Sequence, residues 1–317
     1  MRKFFTIFFI SILFLLSITV FFLSTTGYET KRFNNLINNK LQNIDEKISL
    51  ELNEIKLKLD IKKLNFFLST EDLKINYNKT PVALQQVKIY FDLISLLEKN
   101  PRIKNLYINT KPISVKNLKK IILNIKPSNL RSLVLNDLNE GMIKINFSSN
   151  FDENFSIQNY QIDGYVRKIS GSLFKDVYIT DTNFIFSIDP LKGNLNEING
   201  RINSLPITNG KLNYEKKEDI KIVSNFQTQL DITQDFIRKA FQKKNKFEKY
   251  LNNEFLFKGN LNHDLKLVFS NTYKLKSYEY DINGLAEEAY VEIKNHKSSS
   301  QIDMANASSY VKIILNG

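Results

Sequence analysis

Two hydrophobic patterns divide this chain. From Phe4 to Leu23 twenty residues, FFTIFFISILFLLSITVFFL, run without a charge, and beyond them apolar positions recur at every second residue over most of the sequence. A helix made of the first run would rise about 30 Å, the thickness of a bilayer's hydrocarbon core. Its only hydroxyls, on Thr6, Ser11, Ser17 and Thr19, can bond back to helix carbonyls. Arg2 and Lys3 precede it, so the positive-inside rule places Met1 in the cytoplasm and everything after Ser24 outside. A cleaved secretory signal is the alternative, but its apolar region usually runs about 7–15 residues. This run is longer, and Ser24-Thr25-Thr26 matches a cleavage site poorly. The expectation is a retained single-pass anchor over residues 1–23.

Phe33, Leu36, Ile37, Leu41, Ile44 and Ile48 fall three or four apart, which predicts a helix from Tyr28 to Lys47, capped by Thr25, Thr26 or Thr30. The period then drops to 2. Ile55-Lys-Leu57-Lys-Leu59-Asp-Ile61 alternates strictly, as a strand with one wet face does. Strands are expected next at Leu64–Leu68, Leu73–Tyr77, Val87–Phe91, Ile103–Ile108 and Ile113–Val115, with a turn at Asn78-Lys79-Thr80-Pro81. Short helices are expected at Leu93–Glu98, stopped by Pro101, and at Leu118–Asn124, capped by Asn117.

Pro127 is the expected domain boundary, separating an α+β region (24–126) from a β body (127–317). In that body Ile143/Ile145/Phe147, Val177/Ile179, Phe184/Phe186/Ile188, Ile220/Ile222, Leu265/Leu267/Phe269, Tyr278/Tyr280/Ile282 and Val291/Ile293 alternate with polar residues. Glu140-Gly141, Asp163-Gly164, Asp189-Pro190, Lys192-Gly193-Asn194, Asn199-Gly200, Asn209-Gly210 and Asn283-Gly284 read as hairpin turns between them. One inserted helix is expected over 234–252. Tyr310–Leu315 reads as a further strand, whose free edge would be continued by a partner or by more chain. The fold class expected is mainly β with a few helices: a transmembrane helix, then a curved, groove-forming antiparallel sheet. Alternation alone leaves two ways to treat the apolar face, a sandwich of two sheets or an open concave surface that holds lipid chains.

Composition narrows the chemistry. A chain of 317 residues, 42% hydrophobic, can bury a core, and with no cysteine it has no disulfides or thiolate sites. The net charge of +12 suggests acidic partners. Its topology turns it away from nucleic acid and toward anionic head groups, although abundant Lys, Asn and Ile also fit codon bias. His263 and His296 lie in separate hairpins without metal-ligand spacing and are read as sheet-surface residues. No G-x-S-x-G elbow or phosphate-binding glycine loop occurs. Asp163, Asp176, Asp181 and Asp189 are ordinary at hairpin ends. Asn-x-Ser/Thr sites at Asn78, Asn146, Asn154 and Asn306 matter only in a eukaryotic secretory setting. No catalytic residue, metal or cofactor is expected.

From Phe14 to about Val115 the chain resembles the AsmA-like family, with its TamB-like and YhdP-like relatives. The likeness lies in the anchor and in Tyr28-Glu-Thr30-Lys-Arg-Phe33-Asn34-Asn-Leu36-Ile37-Asn-Asn-Lys-Leu41. It continues through the ladder Ile55–Leu64, Val87-Lys-Ile89-Tyr90-Phe91-Asp92-Leu93, Ile103-Lys-Asn-Leu106-Tyr-Ile108 and Ile113-Ser-Val115-Lys-Asn117-Leu118. Gly171–Val177 and Phe184–Ile188 are similar to the family's β-rich body. The resemblance implies an inner-membrane anchor, a periplasmic antiparallel sheet with an apolar groove, and a role in phospholipid movement or outer-membrane biogenesis. This chain is short for a bridge between two membranes and lacks a recognisable C-terminal segment of the family. The expected partners are membrane phospholipids. The expected acyl-chain contacts are Val177, Ile179, Phe184, Phe186, Ile188, Leu265, Leu267 and Phe269. The alternative is a non-catalytic envelope scaffold that binds outer-membrane or envelope proteins by adding a strand at its free edge.

Overall fold

A computed structural model gives the fold. It describes residues 2–31, 34, 48–51, 55–63, 65–78, 80–92, 102–124, 127–152, 156–174, 177–233, 254–272, 274–295, 298–303 and 309–316. The helices expected at 93–98 and 234–252, most of the one expected over 28–47, and His296 lie outside these residues. The described residues are mainly β, with an N-terminal apolar helix, few other helices and an open antiparallel sheet.

Helix α1 (Arg2–Thr25) contains a stretch, Phe4–Thr25, long and apolar enough to cross a membrane, and none of that stretch is buried against the protein. Ser17 and Thr19 donate to the Leu13 and Leu15 carbonyls at 2.8 and 2.9 Å, so these hydroxyls add no unpaired group. At its end the N–H groups of Thr26 and Gly27 both donate to the Phe22 carbonyl, at 3.0 and 2.9 Å. Gly27 has φ +77°, the left-handed stop that glycine adopts at little cost.

The chain does not enter a second helix at Tyr28. Tyr28–Thr30 forms β1, antiparallel to the start of β3 (Ile55–Asp60), with Thr30 opposite Ile55. The three-and-four spacing begins only at Phe33, so it carried no information about these residues. The first compact unit comprises Met1–Tyr165 with Ile188–Pro190. Its sheet runs β1, β3, β4 (Asn65–Glu71), β6 (Thr80–Phe91), β7 (Ile103–Thr110), β9 (Leu138–Phe151), all antiparallel. Two further strands, β2 (Ile48–Glu51) and β5 (Lys74–Tyr77), pair with each other, and β5 pairs with the start of β6. On one face Ile55, Leu68 and Phe91 form one buried cluster, and Leu73, Leu84 and Val87 another.

β8 (Ile113–Ser114) leads into α2 (Val115–Ile122). The cap of α2 is Ser114, whose hydroxyl accepts from the Asn117 N–H at 3.4 Å, and Asn117 is not the cap. Both residue types cap well, and burial of Val115 favours the earlier start. A short helix, α3 (Asn129–Ser132), and a π-turn (Leu133–Asp137) precede β9. Because β9 pairs with β7 and β8, the units do not divide at Pro127 but after Tyr165.

The second unit comprises Val166–Ser187 and Leu191–Gly317. It holds the end of β10 (Ile157–Phe174), most of β11 (Val177–Ile188), then β12 (Lys192–Ile202), β13 (Leu205–Lys216), β14 (Asp219–Thr233), β15 (Glu254–Ser270) and β16 (Leu275–Asn295). From β12 to β16 each strand pairs antiparallel with the next. β17 (Ser298–Asp303) and β18 (Ser309–Asn316) lie end to end along β16.

These strands are longer than the sequence suggested. β15 has 17 residues and β16 has 21, about 56 and 69 Å at ~3.3 Å per residue. Of the pairs read as turns, only Asp189-Pro190 turns the chain; Gly141, Gly164, Gly193, Gly200, Gly210 and Gly284 lie inside strands. Gly284 is there because of close approach: a Cβ would overlap the Asn260 carbonyl oxygen and stand 2.9 Å from Leu261 Cα. The β12–β13 hairpin turns instead at Asn203-Ser204, with φ +46° and +73°, the two-residue geometry that suits sheet twist.

Candidate functional site

Alternation assigns each strand of the second unit two faces, and bulges keep one face continuous. Lys168, Asp181, Glu197 and Asn209 have φ of +50°, +50°, +55° and +54°, each inside a strand. A residue in that conformation adds one position and reverses the parity of the residues after it. In β11 the odd-numbered Val177 and Ile179 precede Asp181, and the even-numbered Thr182, Phe184 and Phe186 come after it. The bulge brings both sets to one side, with Ile179 and Phe186 buried and the intervening Thr180, Asp181 and Ile185 exposed.

The bulges are held by a repeated device. Asn183 donates through Nδ2 to the Asp181 carbonyl at 2.9 Å and accepts at Oδ1 from the Lys168 N–H at 3.0 Å. Asn199 does the same on the next strand, donating to the Glu197 carbonyl at 2.8 Å and accepting from the Asn209 N–H at 3.2 Å. Ser170 Oγ accepts from the Asp181 N–H at 3.2 Å.

Register carries the face across the unit. A Cβ on Gly200 would overlap Thr182, and Gly200 pairs with Ile207, Ile207 with Thr228, Thr228 with Leu261, and Leu261 with Gly284. Leu265, Leu267 and Phe269 lie on this same face, opposite Ser224, Ile222 and Ile220. The expected site residues are therefore on one surface but in two groups, since β12, β13 and β14 separate β11 from β15. Four strand spacings make that about 19 Å. Val177, Phe184, Leu265, Leu267 and Phe269 are only partly buried, so they are the accessible part. Ile188 keeps the parity of Phe186 but, at the end of β11, clusters with the first unit. Ile207, Ile220, Leu230 and Leu261 fill the surface between the groups or beside them and are buried. Sequence reading left these four out of the site, although the parity of Ile220 and Leu230 with Ile222, and of Leu261 with Leu265, was visible.

His263 is not a sheet-surface residue. It shares parity with Leu261 and Leu265, is buried on the apolar face, and stacks on Phe226 with ring centroids 4.6 Å apart. Its Nε2 lies 2.7 Å from Thr228 Oγ1 and its Nδ1 2.7 Å from Tyr280 Oη. One nitrogen donates and the other accepts, so both are satisfied by a neutral ring. Burial pushes the imidazole below its ordinary value, with Asp264 pulling weakly the other way, and burial pushes the Tyr280 phenol up. The group is a self-contained polar notch. Among the described residues no cluster of three or more His, Cys, Asp or Glu could hold a metal.

The opposite face carries amide ladders. Asn209 Nδ2 donates to Gln227 Oε1 at 2.7 Å, Gln227 to Asn262 at 3.0 Å, and Asn262 to Asn283 at 3.2 Å. Asn225 bonds Asp264 at 2.8 Å, and Asn260 bonds Glu287 at 2.9 Å. One face is thus mainly apolar, with Thr182, Ser224, Thr228 and His263 set into it, and the other mainly polar, with Ile185, Val223 and Leu285 exposed on it. Comparison of the chain with protein-family models, curated proteins and solved structures finds no match.

Proposed function

We propose that this is a membrane-anchored protein that binds phospholipid acyl chains along the apolar face of its second unit, and that it acts in envelope lipid transfer rather than as an enzyme. The observation that carries the reading is a long sheet whose bulges are placed so that one face stays apolar from β11 to β16. A merely structural sheet tolerates parity reversals wherever its partner layer allows. Here four reversals each return aliphatic residues to the same side. The helix α1 supports an anchor, and Arg2 and Lys3 support the orientation with the sheet outside the cytoplasm. The resemblance to the AsmA-like family supports the same reading and adds the periplasm and outer-membrane biogenesis as its setting.

Binding would work by apolar contact at about 25 cal/mol per Å² buried, with phosphates left at the edge of the sheet. Phe186 and Ile179 are too buried to test this without damage to the fold. Leu267 and Phe269 are better, being part-exposed. The full chain is purified in detergent and its retained phospholipid counted after extraction. The expected result is bound phospholipid in the wild type and clearly less of it in Leu267→Gln/Phe269→Gln, with the circular dichroism unchanged. Wild-type protein free of phospholipid would overturn the reading.

A further inference from the structure

The first unit carries a different kind of site where it meets α1. A cavity of about 660 Å³ is lined there by Lys31, Lys56, Lys58, Glu29, Ser69 and Glu71, with Asp72 beside them. Register sets Glu29 opposite Lys56 and Lys56 opposite Ser69. Alternation puts Lys58 on the same face, two residues along β3. Lys58 lies across the turn that ends the helix: a Cβ on Gly27 would come within 2.6 Å of its Cγ and 3.3 Å of its Cε. If α1 spans a bilayer, these lysines stand at head-group depth. Tyr28, exposed at the start of β1, is the residue type that favours that depth.

Lys56 and Lys58 are half-buried, and among the described residues neither they nor Lys31 has an ion-pair partner. Asp72 is already neutralised by Lys111 at 2.8 Å. Glu71 is engaged by Gln86, whose Nε2 donates to it at 3.2 Å. With Lys111 set against Asp72, the three lysines of the lining face Glu29 and Glu71, which leaves one positive charge in excess. A single phosphodiester in the cavity would meet both the excess positive charge and the unused lysine donors.

We infer that this cavity binds the phosphate of an anionic phospholipid in the leaflet where α1 ends. The inference needs α1 in a membrane but does not rest on the acyl-chain reading of the second unit.

The test is native mass spectrometry of the full chain in detergent, titrated with phosphatidylglycerol, phosphatidylcholine or soluble glycerol phosphate. Phosphatidylglycerol should bind about fivefold more tightly than phosphatidylcholine, three lysines near a lipid surface being partly offset by two carboxylates. The triple variant Lys31→Gln/Lys56→Gln/Lys58→Gln should lose that preference, and the matching arginine variant should keep it. Substituting Lys192, Lys211 and Lys221 of the second unit by Gln should leave it unchanged. Leu267→Gln/Phe269→Gln should lower total lipid retained without altering the preference, which separates the two readings. Equal binding of the two lipids by the wild type, or a preference surviving in the glutamine variant, would overturn the inference. Glycerol phosphate binding as tightly as the lipid would overturn it too, by assigning the cavity to soluble phosphate esters.

Discussion

Asn183 is the residue on which the continuity of the apolar face depends most directly. Asn183→Ala removes its hydrogen bond to the Asp181 carbonyl, 2.9 Å, and leaves the Lys168 N–H, now at 3.0 Å from Oδ1, without its acceptor. At about 1 kcal/mol for each bond the bulge pair loses ~2 kcal/mol, near a 30-fold change in local opening. Unfolding of a two-unit chain is not two-state, so a global melt would blur this. Hydrogen exchange read on a peptide covering Val166–Gly171 isolates it. Asn183→Ala should raise exchange there about 30-fold in the full chain. Asn183→Asp keeps the acceptor for Lys168 while losing the donor to Asp181, so it should raise exchange in that peptide only about fivefold. The equivalent Asn199→Ala should expose the Asn209 amide in the same way, since Asn199 makes the same two bonds. Exchange within about threefold of wild type in Asn183→Ala would show that the bulge is held by the strands alone, and the reasoning about parity would fail with it.

The same geometry sets two further outcomes. Gly284→Ala should destabilise the second unit by about 2 kcal/mol or more, because the new methyl meets Asn260 and Leu261 backbone atoms and not flexible side chains; urea unfolding checks it, and a change under about 0.5 kcal/mol would refute the close approach. His263 should make stability pH-dependent. Its ordinary value is 6.5 and burial lowers it in the folded state. Above that pH both states are neutral. Below it the unfolded chain takes up a proton first, so stability falls by up to about 1.4 kcal/mol per pH unit until the folded value is passed. His263→Gln should lose less stability than wild type between pH 7.5 and 5.5, and an equal loss would refute the assignment.

How legible was this in the sequence? The long apolar helix was, because twenty uncharged apolar residues leave little choice, and so was β3, whose alternation is strict. The faces of β11 and β15 were legible piecewise, between bulges. The hidden part is the difference between a turn and a bulge. Both use Asn, Asp and Gly, since both need φ > 0, and the motifs Asp181-Thr-Asn183 and Glu197-Ile-Asn199-Gly200 satisfy either. Choosing turns cut the 21-residue β16 at Asn283-Gly284, and cut β9, β10, β12 and β13 in the same way. His263 shows the opposite error. Its parity with Leu261 and Leu265 was enough to place it inside, but histidine's usual surface habit outweighed the pattern. Nothing in the sequence distinguished Ser114 from Asn117 as a cap.

On the proposal that the apolar face binds lipid, the alignment of the strands raises a difficulty that the amide ladders answer. In most sheets the register is fixed by the hydrophobic face, because a one-residue slip moves every core side chain into water. A face of interchangeable Ile, Leu and Phe penalises a one-residue slip but discriminates poorly against a two-residue one, which restores parity. Lipid chains, being fluid, add no register information of their own. The ladder Asn209–Gln227–Asn262–Asn283 does discriminate, since each amide must offer a donor to one neighbour and an acceptor to the other across a single row. A two-residue slip would set Asn262 against Asn225 or Gln229, amides too, but would take it out of line with Gln227 and Asn209 and so cut the four-residue row in two. The buried Thr228–His263–Tyr280 group does the same from the apolar side, at one position only. On this argument the polar residues specify the alignment of the strands, which frees the apolar residues to be chosen for what they contact.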